Sequence, residues 1–133
     1  MLPTSAPREP LVFVVDEDPH VNLLISATVK LAKCNTMSFH STDECLNGID
    51  KFVSELDIAC IDGKLAEEGG GLIISRIKQA NPDAKVLVIA NNESARSQIL
   101  RYGADDFLMK PTSVVTITEK ILLLAAVKGV FGR

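Results

Sequence analysis

From Leu11 onward the chain alternates short continuous apolar runs with longer stretches whose apolar residues fall at helical spacing. Leu11-Val-Phe-Val-Val15 is the first run and reads as a buried strand that stops at Asp16-Glu17-Asp18. Asp18 is placed to cap a helix whose first position is Pro19. That helix carries Val21, Leu24, Ile25, Thr28, Leu31 and Ala32 at apolar positions. Asn35 to His40 is a weaker strand. Ser41-Thr-Asp-Glu44 has the form of a capping box, with Ser41 as the cap and Glu44 reaching back to it, and opens a helix to about Glu55.

The second half repeats the alternation. Asp57-Ile-Ala-Cys-Ile61 is a buried strand that ends on Asp62. Gly69 to Gly71 precede a helix with Leu72, Ile73, Ile77 and Ala80, closed by Asn81-Pro82. Lys85-Val-Leu-Val-Ile-Ala90 is the clearest strand of the chain. A short helix over Glu93–Tyr102 ends at Gly103, Asp106-Phe-Leu-Met109 is the last strand, and Thr112 caps a final helix to about Lys128. Repeated βα units predict an α/β fold in three layers, a doubly wound five-stranded parallel sheet with helices on both faces. Residues 1–10, with three prolines and no continuous apolar stretch, are expected to form a disordered leader, and one domain is expected over residues 11–130.

Composition narrows this picture. The chain has 133 residues, 47% hydrophobic but only 5% aromatic, so its core must be built from Val, Ile, Leu and Ala, as suits a parallel sheet covered on both faces. A net charge of −3 argues against direct nucleic-acid binding, which needs a basic surface. The longest apolar run, Ile121 to Val127, is too short to span a bilayer, and the prolines near the start leave no signal-peptide core. Cys34, Cys45 and Cys60 form no Cys-x-x-Cys pair, and His20 and His40 add no zinc cluster; buried reduced thiols in a cytoplasmic protein are expected.

The chemistry is expected where strands stop. Asp16, Glu17 and Asp18 follow the first strand, Asp62 ends the third, and Lys110-Pro111 follows the fifth. In an open parallel sheet, ligands bind beyond the carboxyl ends of the strands, where strand order reverses. Carboxylates gathered there repel one another unless a cation or proton intervenes, and an oxygen-only ligand set suits Mg²⁺. A lysine across the same edge can meet a phosphoryl oxygen as a point charge.

Val14-Val-Asp-Glu-Asp-Pro19, Ile61-Asp62 and Gly103-Ala-Asp-Asp-Phe-Leu-Met-Lys-Pro111, in this order and spacing, resemble the receiver domain of two-component response regulators over residues 11 to about 128. The resemblance implies a flavodoxin-like (βα)5 fold with strand order 2-1-3-4-5. It makes Asp62 the acceptor of a phosphoryl group from a sensor histidine kinase or phosphotransfer protein in two-component signalling. It implies that Glu17 and Asp62 hold Mg²⁺, with Asp16 acting through water and the Lys64 backbone carbonyl as a further ligand. Lys110 would contact the acceptor and then the phosphoryl group, through a cis Lys110–Pro111 bond. No enzymatic turnover is implied.

Two positions depart from the family pattern. The fourth strand ends on Ala90, where the family has a Ser or Thr whose hydroxyl binds the phosphoryl group and works with a switch aromatic, here Phe107. Ala66 stands where the family has Pro, and three glycines follow, so the stretch after Asp62 is expected to be a freer loop in which Lys64 could pair with Asp62. These departures favour a rival reading, a degenerate receiver that serves as a phosphorylation-independent interaction module. Asp16-Glu-Asp18 also resembles the nucleophile motif of haloacid-dehalogenase-type phosphatases, but His20 behind Pro19 breaks that pattern.

The last helix is apolar all the way round at Ile121-Leu-Leu-Leu-Ala-Ala-Val127. Ile121, Leu122, Leu124 and Ala125 are expected to contribute to a homodimer face, as the last two helices do in the resembling family.

Overall fold

The computed structural model describes residues 8–129. Five parallel strands, β1 (Leu11–Val15), β2 (Asn35–Phe39), β3 (Ile58–Asp62), β4 (Lys85–Ala90) and β5 (Asp106–Met109), lie in the order β2-β1-β3-β4-β5. Six α-helices connect and cover them: α1 (Pro19–Leu31), α2 (Thr42–Phe52), α3 (Gly63–Glu67), α4 (Leu72–Ala80), α5 (Arg96–Tyr102) and α6 (Val114–Lys128). Short 3₁₀ turns at Val53–Glu55 and Glu93–Ala95 trim the helices read there from the sequence, and a third, at Glu68–Gly70, precedes α4. This is the doubly wound, three-layer sheet that the alternating pattern implied.

Successive strand side chains point to opposite faces, so each apolar run feeds two cores at once. Phe13, Val15, Ala59, Ile61, Val88, Ala90 and Phe107 pack with α2 to α5 on one side. Val12, Val14, Ile58, Cys60, Leu87 and Ile89 pack with Ile25, Val29, Ile117, Ile121 and Ala125 of α1 and α6 on the other. Burial of each such Val, Leu or Ile stabilises the fold by about 1.5–3 kcal/mol before entropy is counted.

Several elements differ from expectation in instructive ways. The inward face of α1 is Asn22, Ile25, Ser26 and Val29, rotated about one residue from the apolar face read in the sequence. Asn22 causes the rotation: its amide donates to the carbonyls of Val14, Asp16 and Phe39 at 3.3, 3.1 and 2.9 Å, satisfying groups at the sheet edge that no leucine could. Leu23, Leu24 and Leu31 are left outward as a result. Glu44 reaches past the Ser41 cap and accepts from the His40 N–H at 2.8 Å. Ser113, not Thr112, caps α6, its Oγ accepting from the Thr116 N–H at 3.0 Å. Within α6, Ile121 and Ala125 are wholly buried and Leu122 and Leu124 lean on the core, so the outward apolar side chains are Val115, Leu123 and Val127.

Residues 1–7 of the expected leader lie outside the described residues. Arg8 is tied down: its guanidinium donates to both carboxylate oxygens of Asp57, at 2.6 and 2.7 Å. The three cysteines are free and buried, and burial pushes the Cys45 and Cys60 thiols up to about 12. Among the described residues no helix is long and apolar enough to cross a membrane.

Candidate functional site

Strand order reverses at β1, which lies between β2 and β3, so a crevice opens beyond the carboxyl ends of β1 and β3. The two-residue period of the strands decides what faces it. Asp16 continues the parity of Val14, Asp62 that of Cys60, and Lys110 that of Leu108, so all three belong to the α1–α6 side. They line one cleft of ≈ 360 Å³ together with Val21, Val114 and Ile117. Glu17 is not among the residues that line it.

Asp62 is held on both oxygens. Lys110 Nζ donates to Oδ1 at 2.6 Å, and the Lys64 N–H donates to Oδ2 at 3.1 Å. The second bond makes Asp62 the N-cap of α3, so the stretch expected as a free loop is a short helix. Gly63 permits this start: a Cβ there would lie 2.4 Å from the Ala90 Cβ. The Lys110–Pro111 bond is cis, as the resemblance implied.

Asp16 is buried, and its Oδ1 accepts from the Asp18 N–H at 2.9 Å. Burial, with the nearby Asp62 carboxylate, holds its carboxyl above the usual carboxylate value in spite of that bond and of Lys110. For Lys110, partial burial opposes the charge, but the hydrogen bond to Asp62 and the charges of Asp62, Asp16 and Asp18 outweigh it, so the ammonium sits above the ordinary lysine value. Two carboxylates against one lysine leave a net negative centre, which a hard cation or a proton would relieve.

Glu17 is exposed, and its Oε2 accepts from Lys64 Nζ at 2.8 Å. The Lys64 side chain therefore takes Glu17 and not Asp62. Among the described residues no three carboxylate, imidazole or thiol groups stand together as a ready-made metal cluster. Asp16 and Asp62 fit Mg²⁺ in donor type, since the ion is held by one or two carboxylates and otherwise by water. Glu17 fits only if it leaves Lys64.

Ala90 is buried on the other face, and its carbonyl accepts from the Lys110 N–H at 2.8 Å. Phe107 is 3% exposed on that same face, with the Arg96 guanidinium 4.7 Å above its ring centroid. Asn22, missed in the sequence, anchors the turn that carries Asp16. A polar residue inside an apolar helical stretch was the available signal. Asp57 was also missed. Fully buried, it accepts from Arg8, from Lys128 Nζ at 2.8 Å and from the Leu11 N–H at 2.8 Å, beneath the end of the sheet opposite the cleft.

The geometry has close relatives. A receiver domain protein from Clostridium thermocellum superposes with a TM-score of 0.78 at 20% identity, covering 90% of this chain and 96% of that one. A CheY-like receiver domain protein from Methanospirillum hungatei JF-1 gives 0.77 at 20% identity over 90% and 96%. A response regulator from Burkholderia pseudomallei, solved with a phosphorylated aspartic acid, calcium ion and citrate, gives 0.72 at 19% identity over 90% and 75%. Among curated proteins, a cyclic di-GMP phosphodiesterase of Thermotoga maritima is 23% identical over 112 residues. That match takes in 83% of this chain, which spans only 29% of the longer protein. The model of the response regulator receiver domain matches residues 12–122, the span that carries β1 through most of α6 and every residue of the cleft. The chain belongs to the response regulator receiver domain family.

Proposed function

We propose that the chain accepts a phosphoryl group on Asp62 from a phosphohistidine of a sensor kinase or phosphotransfer protein. The observation that carries this reading is the Lys110–Asp62 contact of 2.6 Å beside the buried carboxyl of Asp16, at the point where strand order reverses. Asp62 is the nucleophile: a carboxylate oxygen forms the new P–O bond as the P–N bond breaks, and the electron pair leaves on the imidazole nitrogen. Lys110 lies within reach of both the acceptor and an incoming phosphoryl oxygen, and the Lys64 N–H orients the carboxylate. Asp16 and Asp62, with the Lys64 carbonyl and with Glu17 once released, would hold Mg²⁺. Bound there, the ion supplies neutralisation of phosphoryl charge. The chain acts as a signalling element and not by turnover of a substrate.

The test is intact mass measured with Mg²⁺ and acetyl phosphate. Wild type gains one phosphoryl group and Asp62→Asn gains none; equal modification of both, or of neither, defeats the reading.

A second reading, a phosphorylation-independent interaction module, is favoured by Ala90, which offers no hydroxyl to a phosphoryl group, and by the diversion of Glu17 to Lys64. Association of two copies through α6 would use its outward Val115, Leu123 and Val127. Light scattering at high concentration, with and without phosphodonor, decides whether such a dimer forms.

A further inference from the structure

We propose that the cleft beside Asp62 also seats the organic part of a small phosphodonor, and that it selects acyl phosphates whose apolar tail is longer than acetyl. The inference rests on the phosphoacceptor reading above and names a substrate class for that same site. The step balances without a proton. An Asp62 carboxylate oxygen forms the new P–O bond as the P–O bond to the acyl group breaks, and the electron pair leaves on the acyl carboxylate.

The cleft has two parts of opposite chemistry. At its polar part stand Lys110 and Asp62, their side chains 30% and 11% exposed and 2.6 Å apart. Beyond them the wall is apolar. Val21, Leu24 and Ile25 lie along one stripe of α1, at the spacing that brings helical side chains together, and Val114 and Ile117 come from the first turn of α6. Ile89, buried on β4, belongs to the same lining. The Asn22 anchor shapes this wall: with Asn22 turned to the sheet edge, Leu24 stays 55% exposed and forms the rim.

The volume, ≈ 360 Å³, falls in the range of small-molecule sites, about 300–1,000 Å³. Water against the apolar wall meets few polar partners, so an apolar group that displaces it gains affinity. Because Asp62 and Lys110 themselves line the cleft, a phosphoryl group in contact with them leaves its acyl tail beside that wall. Acetyl phosphate offers it one methyl group. Each added methylene, once fully buried, is worth about fourfold in affinity.

Initial rates of Asp62 labelling test this, read by intact mass at equal subsaturating concentrations of acetyl, propionyl and butyryl phosphate with Mg²⁺. The three donors release carboxylates of nearly equal basicity, so their intrinsic reactivities nearly match. Rates are expected to rise along the series, with butyryl phosphate at least about fivefold faster than acetyl phosphate. In Leu24→Gln, a change at an exposed helix position, that ratio is expected to fall by at least about half. Wild-type rates equal within about twofold, or a ratio untouched in the variant, overturn the proposal. If no donor labels Asp62, the phosphoacceptor reading fails instead, and affinity then decides the tail site. With Mg²⁺ present, pentylphosphonate matches the chain length of butyryl phosphate, and propylphosphonate that of acetyl phosphate. Calorimetry is expected to show pentylphosphonate binding at least about fivefold more tightly. Equal affinity, or binding of neither, overturns the proposal.

Discussion

Asp57→Asn is the substitution whose cost can be worked out most fully. Asp57 is wholly buried at the head of β3, yet its carboxylate accepts from four N–H donors: two on Arg8, one on Lys128 and the Leu11 backbone. Burial favours its neutral form, but the Arg8, Lys128 and Leu11 hydrogen bonds outweigh that and hold its carboxyl below the usual carboxylate value. Asparagine keeps the shape and the bond to Leu11 but loses the charge. Each charge-assisted bond contributes about 1.5–3 kcal/mol. Arg8 is 55% exposed and recovers hydration, so its share is discounted, whereas Lys128 is 17% exposed and recovers less. The expected loss is about 2–4 kcal/mol, a fall in Tm of about 8–16 °C for a domain of this size. Urea denaturation followed by circular dichroism at pH 7 measures it as a lower midpoint with an unchanged slope. A depressed carboxyl stabilises above its unfolded value, near ~3.9, and that stability is lost as pH falls through the lower folded value. The gap between wild type and variant should therefore close as pH falls through that lower folded value. A loss under about 0.5 kcal/mol at pH 7, or a gap that persists at low pH, would refute the role given to this network.

Three further outcomes are expected. Asp16→Asn should raise Tm by about 2–5 °C at neutral pH without divalent ions, because a buried carboxyl held above its usual value costs stability once ionised. That gain should shrink as pH falls through the Asp16 value, while Mg²⁺ binding measured by calorimetry weakens. Lys64→Ala should free Glu17 and tighten Mg²⁺ by about two- to fivefold, since an exposed ion pair is weak, and unchanged affinity would show that Glu17 is not a ligand. Gly63→Ala should destabilise by about 1–3 kcal/mol in chemical denaturation and slow labelling of Asp62, because the new Cβ drives α3 off Ala90 and takes the Lys64 N–H with it.

Most of the architecture was legible because a parallel sheet writes itself as apolar runs, and β1, β3 and β4 are such runs. The strand-end residues Asp16, Asp62 and Lys110 were legible for the same reason: once the strands are placed, parity and order put them on one edge. What escaped depended on contacts distant in sequence. Asn22 turned α1 by satisfying three carbonyls, two on the β1 strand and its end and one on β2, and no apolar periodicity encodes that. Asp57 looked like a strand residue because its partners, Arg8 and Lys128, lie 49 and 71 positions away. The pairing of Glu17 with Lys64 also escaped, because the two lie 47 positions apart. Ile121 and Ala125 read as surface because an all-apolar helix hides which of its sides meets the sheet, and here theirs does.

The central claim is that Asp62 takes a phosphoryl group from a P–N donor under the control of its cleft. Incubation with phosphoramidate, followed by peptide mapping in the mass spectrometer, tests it most directly. One phosphoryl group on Asp62, formed with Mg²⁺, abolished by chelation and sharply slowed in Lys110→Ala, is the predicted result. A chain that stays unmodified with Mg²⁺ and donor in excess, or one labelled elsewhere while Asp62 remains free, would contradict it.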